Sequence, residues 1–127
     1  MTPLTLVSFD IDGTLEVGVP PGIVTIGMVR AAQRLGCLIG SCSDRPLGYQ
    51  RELWEGLGVG VDFTVLKHRL DEVRARFRAE AYYHVGDTEL DEVVAAGAGF
   101  HFLRADAALY QRWGPSLLTG PDGPRRG

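Results

Sequence analysis

Residues 6–14 read LVSFDIDGT, and this stretch decides the fold of the chain. A short apolar run typical of a buried strand ends in two carboxylates, Asp10 and Asp12, with one residue between them. Gly13 and Thr14 then turn the chain away from the strand. Two acids at the carboxyl end of a strand can hold a hard cation while one of them serves as a nucleophile. A core strand has no structural use for such a pair, so we expect this stretch to carry chemistry.

Length, composition and charge describe one globular domain. The chain has 127 residues, of which 45% are hydrophobic and 23% charged, and its formal net charge is −3. This is enough chain for a real core, and the charge gives no reason to expect binding to nucleic acid or to an anionic membrane. We see no apolar run as long as a membrane span and no export signal, and therefore expect a cytoplasmic protein. Cys37 and Cys42 lie on opposite faces of one predicted strand, so we expect two unpaired core cysteines.

Strand-like and helix-like segments alternate along the chain. Strands are predicted over Leu4–Phe9, Cys37–Cys42, Phe63–Leu66, Ala81–Val85 and Phe100–Leu103. Helices are predicted over Thr25–Leu35, Pro46–Leu57, His68–Ala79, Glu89–Ala96 and Ala107–Trp113. This alternation predicts an α/β fold, a Rossmann-like three-layer sandwich around a five-stranded, mostly parallel sheet. Residues 1–113 would form the core, and the Gly/Pro-rich residues 114–127 a mobile C-terminal tail.

Polar residues follow four of the predicted strands, at the edge of the sheet where such folds bind ligands. The first strand ends in Asp10 and Asp12, the second in the run SCSDR at residues 41–45. The third ends at Lys67 and the fourth in the run GDTELD at residues 86–91. We therefore expect carboxylates, a hydroxyl and an ammonium to converge at this edge.

These motifs resemble those of the haloacid dehalogenase (HAD) superfamily, specifically its phosphatase branch. The matching residues are Asp10-x-Asp12-Gly13-Thr14, Ser43, Lys67 and Gly86-Asp87-x-x-x-Asp91. They occur in the family's order, and the resemblance spans nearly the whole chain up to the fifth strand. It implies a Rossmann-like sheet, Mg²⁺ dependence and an aspartyl-phosphate intermediate. His68 departs from the pattern, because many relatives carry proline there.

The resemblance implies a role for each matching residue. Asp10 would be the nucleophile and Asp12 the general acid and base, with a raised pKa in the closed site. Lys67 would offset charge on the nucleophile and the phosphate. The hydroxyl of Ser43 would donate to the phosphoryl group. The remaining implied roles are substrate binding by Gly13 and Thr14, and Mg²⁺ binding by Asp10, Asp12 (through its backbone carbonyl), Asp87 and Asp91.

Some of these residues also have plainer interpretations. The last acid of the fourth motif fits a capping box that begins at Thr88, and both roles could hold together. Ser41 competes with Ser43 for the phosphate contact, and we prefer Ser43 because it occupies the motif position. Arg45 could touch a substrate anion or only face solvent. His84 is predicted to be a core or edge histidine.

The spacing of the motifs leaves no room for a cap domain over the site. Residues 14–43 hold one loop and one helix, and residues 43–67 one helix and one strand. An open site must exclude water by other means, so we expect a large substrate, a partner protein or a second copy of the chain to close it. The loop Glu16–Gly22 would be a flap that faces the substrate.

The predicted function is Mg²⁺-dependent hydrolysis of a phosphomonoester of unknown identity, through an aspartyl-phosphate at Asp10. A phosphotransferase on the same scaffold is an alternative that differs only in the acceptor. A receiver-like signalling or scaffold domain that only accepts a phosphoryl group is another. A dehalogenase would need neither Asp12 nor Mg²⁺.

Overall fold

A five-stranded parallel sheet forms the centre of the molecule. The computed structural model describes residues 4–119, and its strands are β1 Thr5–Phe9, β2 Leu38–Ser43, β3 Phe63–Leu66, β4 Ala81–Gly86 and β5 His101–Arg104. The spatial order is β3-β2-β1-β4-β5, and each neighbouring pair is parallel. The predicted Rossmann-like class is therefore confirmed, with a sheet that is parallel throughout rather than mostly so.

Five α-helices cover the sheet. They are α1 Ile26–Arg34, α2 Leu47–Leu57, α3 Leu70–Arg76, α4 Glu89–Ala98 and α5 Leu109–Thr119, and one 3₁₀ turn, Lys67–Arg69, precedes α3. The third helix ends earlier than predicted because Phe77 adopts an extended backbone, and its ring packs 5.8 Å from that of Phe63. The last helix continues past its predicted end at Trp113, where a glycine and a proline indicated a stop. Residues 120–127 of the predicted tail lie outside the described residues.

Two apolar layers lie on opposite faces of the sheet. Alternate residues of β1 point to different layers, so that Val7 packs with α1, α2 and α5 while Leu6 packs with α3 and α4. Strands buried on both faces explain why the strand segments are almost continuously apolar in sequence. Within residues 4–119 no further domain is inserted between the strands, as the motif spacing predicted.

The two cysteines occupy different layers. Cys37 packs in the layer of α1 and Cys42 in the layer of α3, and both thiols are free and buried. Their predicted placement on opposite faces is confirmed, although Cys37 directly precedes β2 instead of lying within it. Among the described residues, no helix is both long enough and apolar enough to cross a membrane.

Candidate active site

The carboxyl end of β1 lies where the strand order of the sheet reverses. β1 pairs with β2 on one side and with β4 on the other, and ligands of open α/β sheets bind at this point. Asp10 directly follows β1, Asp87 follows β4, and Lys67 follows β3. Asp91 lies in the first turn of α4. The fold thus brings these four predicted site residues to one edge of the sheet.

Three carboxylates form a compact cluster at this edge. Asp10, Asp87 and Asp91 each offer an oxygen, and these three atoms all lie within 4.8 Å of one another. Asp10 and Asp91 are buried and Asp87 is half-buried. Carboxylate oxygens are the ligands that hard cations prefer, so the cluster could hold a metal ion.

The same cluster makes ionisation of Asp10 costly in the protein alone. Burial and the Asp91 carboxylate raise the pKa of Asp10 from 3.8 to about 8, against the opposing effect of the Lys67 ammonium. The Lys67 Nζ atom lies 3.7 Å from Asp10 Oδ1. A cation entering the cluster must therefore displace a proton at neutral pH, which makes its affinity pH-dependent.

The carboxylate of Asp91 is bonded from several sides. Its Oδ1 lies 2.9 Å from His84 Nε2 and 3.4 Å from Lys67 Nζ. Its Oδ2 accepts bonds from the Thr88 amide at 3.2 Å and the Thr88 hydroxyl at 2.8 Å, within the capping box that the sequence predicted. These four donors match the roughly four acceptor positions of a carboxylate.

This bonding keeps Asp91 ionised. Burial by itself raises the pKa of Asp91. A larger opposing effect comes from the hydrogen bonds of His84 and Thr88 and from the charge of Lys67, so the pKa of Asp91 lies below its usual range. Asp91 therefore contributes negative charge to the cluster, while its oxygens already accept hydrogen bonds from other residues. Asp10 and Asp87 have fewer donors among the described residues and are the better direct ligands for a cation.

Lys67 is the only lysine in a chain that has 13 lysine and arginine residues. Its side chain is 8% exposed, and its ammonium lies 3.4 Å from Asp91 and 3.7 Å from both Asp10 and Asp44. Burial lowers the pKa of Lys67, but these carboxylates raise it more, so the ammonium stays charged. Lys67 thus provides a fixed positive charge beside Asp10, in the position that the sequence predicted.

Asp12 forms an ion pair with Arg45. Arg45 Nε donates to Asp12 Oδ2 at 2.7 Å and Nη2 to Oδ1 at 3.3 Å, and the Val19 amide donates to Oδ1 at 2.9 Å. The Arg45 bond above all, and then the Val19 amide, hold the pKa of Asp12 below its usual range against the effect of partial burial. The raised pKa predicted for Asp12 concerns the closed site; in the open site the guanidinium lowers this pKa because it stabilises the anion. Arg45 also stacks over the Tyr49 ring at 4.8 Å.

The loop Glu16–Gly22, predicted to be a flap, is tied to the turn that carries Asp12. The Gly13 amide donates to the Pro20 carbonyl at 2.6 Å, and the Gly22 amide to the Leu15 carbonyl at 2.8 Å. The loop is therefore a compact extension of the site rather than a free lid. The Gly13 amide is already engaged and is not a free donor for a substrate.

Gly13 and Thr14, predicted to bind substrate, both contact Asp87 in the structure. Gly13 has a φ of +76°, and a Cβ at this position would lie 2.0 Å from Asp87 Oδ2. Only glycine accommodates both this backbone conformation and this close approach. Thr14 is fully buried, and its hydroxyl lies 3.4 Å from Asp87 Oδ1. Both residues thus help to position a candidate metal ligand, and substrate binding by them stays a prediction.

The two competing serines have different partners. The Ser41 hydroxyl donates to Gln50 at 2.6 Å and accepts from the Trp54 indole at 3.0 Å. Its hydrogen-bonding capacity is therefore used in contacts with α2. The Ser43 hydroxyl accepts from the Arg45 amide at 3.0 Å, and its own proton goes to no acceptor among the described residues. Ser43 is therefore the serine with a donor left for a ligand.

Two residues contribute more to the site than the sequence predicts. The sequence predicts that His84 is a core or edge histidine; it is fully buried, and it also bonds to Asp91. A usable signal was its place two residues before Gly86, since alternate residues of a strand share a face. The sequence leaves open whether Arg45 touches a substrate anion or faces solvent, and no local pattern predicts its ion pair with Asp12.

No family model and no curated protein matches the chain. The chemistry of the site is therefore indicated by its own residues. They provide a cluster able to hold a hard cation, a buried carboxylate beside a fixed ammonium, a hydroxyl donor and a second carboxylate that is partly exposed. Such a set can bind an oxyanion and attack it.

Proposed function

We propose that this protein is a Mg²⁺-dependent phosphomonoester hydrolase of the HAD phosphatase type, acting through an aspartyl-phosphate at Asp10. The main support is one observation. The buried Asp10 carboxylate lies 3.7 Å from the only lysine of the chain and shares a cation-competent cluster with Asp87 and Asp91. The order of the four sequence motifs supports the same assignment.

Mg²⁺ fits the donor set, which consists of carboxylate oxygens. Asp10 and Asp87 would hold the ion directly, the backbone carbonyl of Asp12 would face it, and Asp91 would supply charge. Mg²⁺ keeps several of its water ligands, so few protein ligands suffice. When bound, the ion would neutralise charge between the carboxylates and the phosphate and polarise the phosphoryl oxygens.

The residues of the chain would then perform two displacements at phosphorus. In the first, the Asp10 carboxylate attacks phosphorus, the bond to the leaving oxygen breaks, and Asp12 donates a proton to that oxygen. In the second, Asp12 takes a proton from a water that attacks the acyl phosphate, which releases inorganic phosphate and restores Asp10. Ser43 and Lys67 stabilise the charge on the phosphoryl oxygens in both steps. The Arg45 ion pair opposes protonation of Asp12, so it must weaken when substrate binds.

The chain offers no cap over this site within residues 4–119. We propose that a macromolecular phosphorylated substrate, or a second copy of the chain, excludes water during the reaction. The free, buried thiols of Cys37 and Cys42 are compatible with the proposed cytoplasmic location.

The test is phosphate release from an aryl phosphate and from a panel of metabolite phosphates, with Mg²⁺ and with chelator. Turnover should require Mg²⁺ and disappear in Asp10→Asn, while Asp71→Asn, an exposed aspartate outside the site, should keep it. A phosphoryl group that persists on Asp10 without turnover would instead indicate a signalling domain. Mg²⁺-independent turnover, or turnover retained in Asp10→Asn, would refute the proposal.

A further inference from the structure

Ser8 and His84 form a buried polar pair inside the sheet. The two residues lie opposite each other in the paired strands β1 and β4, and both are 0% exposed. Ser8 Oγ lies 3.0 Å from His84 Nδ1. Polar groups buried in such a place cost stability unless they are hydrogen-bonded, so packing alone does not account for this pair.

The second nitrogen of the imidazole reaches the carboxylate cluster. His84 Nε2 lies 2.9 Å from Asp91 Oδ1, and the same oxygen lies 3.4 Å from Lys67 Nζ. Because an ionised carboxylate can only accept hydrogen bonds, the imidazole donates through Nε2. Lys67 Nζ in turn lies 3.7 Å from Asp10. A continuous series of buried side chains therefore leads from the centre of the sheet to the proposed nucleophile.

His84 supplies a restraint on Asp91 that its other partners do not. The two bonds from Thr88 hold Oδ2, at the start of α4, and leave Oδ1 to His84 and Lys67. The carboxylate also lies against β4, since a Cβ on Gly86 would be 2.3 Å from Asp91 Cγ. His84, two residues earlier on the same face of the strand, is thus placed to fix the orientation of Oδ1.

We propose that His84 is a positioning residue that fixes Asp91 Oδ1 and thereby holds the Lys67 ammonium against Asp10, with Ser8 fixing the imidazole. The predicted effect of His84 on turnover rests on the proposed function, whereas its predicted effect on the position of Lys67 does not. Groups that orient the side chains around a metal or catalytic site typically change activity about 10–100-fold when they are removed.

The test uses two substitutions of His84. Phenylalanine keeps an aromatic ring, larger than imidazole, but removes the donor to Asp91, whereas glutamine retains an amide N–H at a similar reach. The matched control is His101→Phe, which removes an exposed histidine from the neighbouring strand β5. Thermal unfolding of each variant shows whether it folds.

The direct readout is the reactivity of Lys67, which is the only lysine and so the only side-chain amine of the chain. Acylation by an amine reagent requires an accessible, deprotonated amine. It should be several-fold faster at Lys67 in His84→Phe than in wild type, as followed by mass spectrometry, because an unfixed Asp91 no longer holds the ammonium beside the carboxylates that keep it charged and buried. His84→Gln should restore most of the protection, and His101→Phe should label like wild type. In the Mg²⁺-dependent assay, His84→Phe should lower kcat about 10–100-fold with KM within about twofold, and His84→Gln should recover much of it.

Unchanged labelling of Lys67 in a folded His84→Phe variant would overturn the proposal. So would equal losses in His84→Phe and His84→Gln, because the donor would then not be the cause. If His84→Phe does not fold, Ser8→Ala is the alternative, because it removes only the hydrogen-bond partner of the imidazole. It should give a smaller increase in Lys67 labelling, and labelling that does not increase overturns the proposal. If wild type hydrolyses no phosphate ester, the proposed function fails, and the labelling result still decides the role of His84.

Discussion

Replacing Asp10 by asparagine is expected to stabilise the fold at alkaline pH while it abolishes activity. In the folded protein, burial and the Asp91 carboxylate raise the pKa of Asp10 to about 8, and in the unfolded chain the pKa returns to 3.8. A raised pKa means that the folded state holds its proton more tightly. The resulting stability is fully present below about pH 4 and is lost as the pH rises through about 8. Asparagine is neutral at every pH and avoids this loss.

The size of the effect follows from the shift of the pKa. The interval from 3.8 to about 8 is roughly four pH units, and each unit corresponds to about 1.36 kcal/mol, which gives an upper limit of about 6 kcal/mol. Relaxation and water entry around the ionised group reduce such penalties, so we expect a gain of about 2–3 kcal/mol in the free energy of unfolding at pH 8.5. For a domain of this length, this corresponds to a rise in Tm of about 6–9 °C.

The assay is thermal unfolding followed by circular dichroism from pH 5 to pH 9, with chelator present. The difference in Tm between Asp10→Asn and wild type should widen with pH and level off above about pH 8. Asp71→Asn, an exposed aspartate in α3, should show no such trend. Added Mg²⁺ should raise the Tm of wild type and narrow the difference. A variant that is no more stable than wild type at pH 8.5 in chelator would refute the reasoning.

Three further substitutions test other parts of the site. Lys67→Met should lower kcat at least about 100-fold and lower the free energy of unfolding in urea by about 3 kcal/mol, because it leaves buried carboxylates without their counter-charge. Activity within tenfold of wild type would contradict this. Gly13→Ala should abolish the Mg²⁺ binding measured by calorimetry, because its Cβ would lie 2.0 Å from Asp87 Oδ2. Gly36→Ala, also at positive φ but with no atom within 4 Å of the added Cβ, should keep it. Arg45→Ala should let the pKa of Asp12 rise towards its ordinary value. The limb of the pH–rate profile that reports Asp12 should then move to higher pH. A limb that does not move would mean that Asp12 does not limit the rate.

The arrangement of elements could be predicted from the sequence because it depends on local periodicity. The predicted strand Phe63–Leu66 matches β3 at both ends, and β1 differs from its prediction by one residue. Short apolar runs alternating with helical segments allow few topologies besides a parallel sheet. The predicted bounds differ by one residue at ends of β2, β4 and β5. The larger errors lie at helix ends, where Phe77 takes an extended backbone after α3 and α5 continues past Trp113.

The sequence by itself also determined which side chains reach the edge of the sheet where the site lies, since parallel strands all end there. Only the tertiary structure decided how those side chains pair. Arg45 binds Asp12 across 33 residues, and Ser8 meets His84 across 76. Periodicity assigns a side chain to a face, but the distance between atoms on different strands depends on strand order and register. Because electrostatic effects depend on those distances, the opposite pKa shifts of Asp10 and Asp12 follow from the folded arrangement and not from the motif they share.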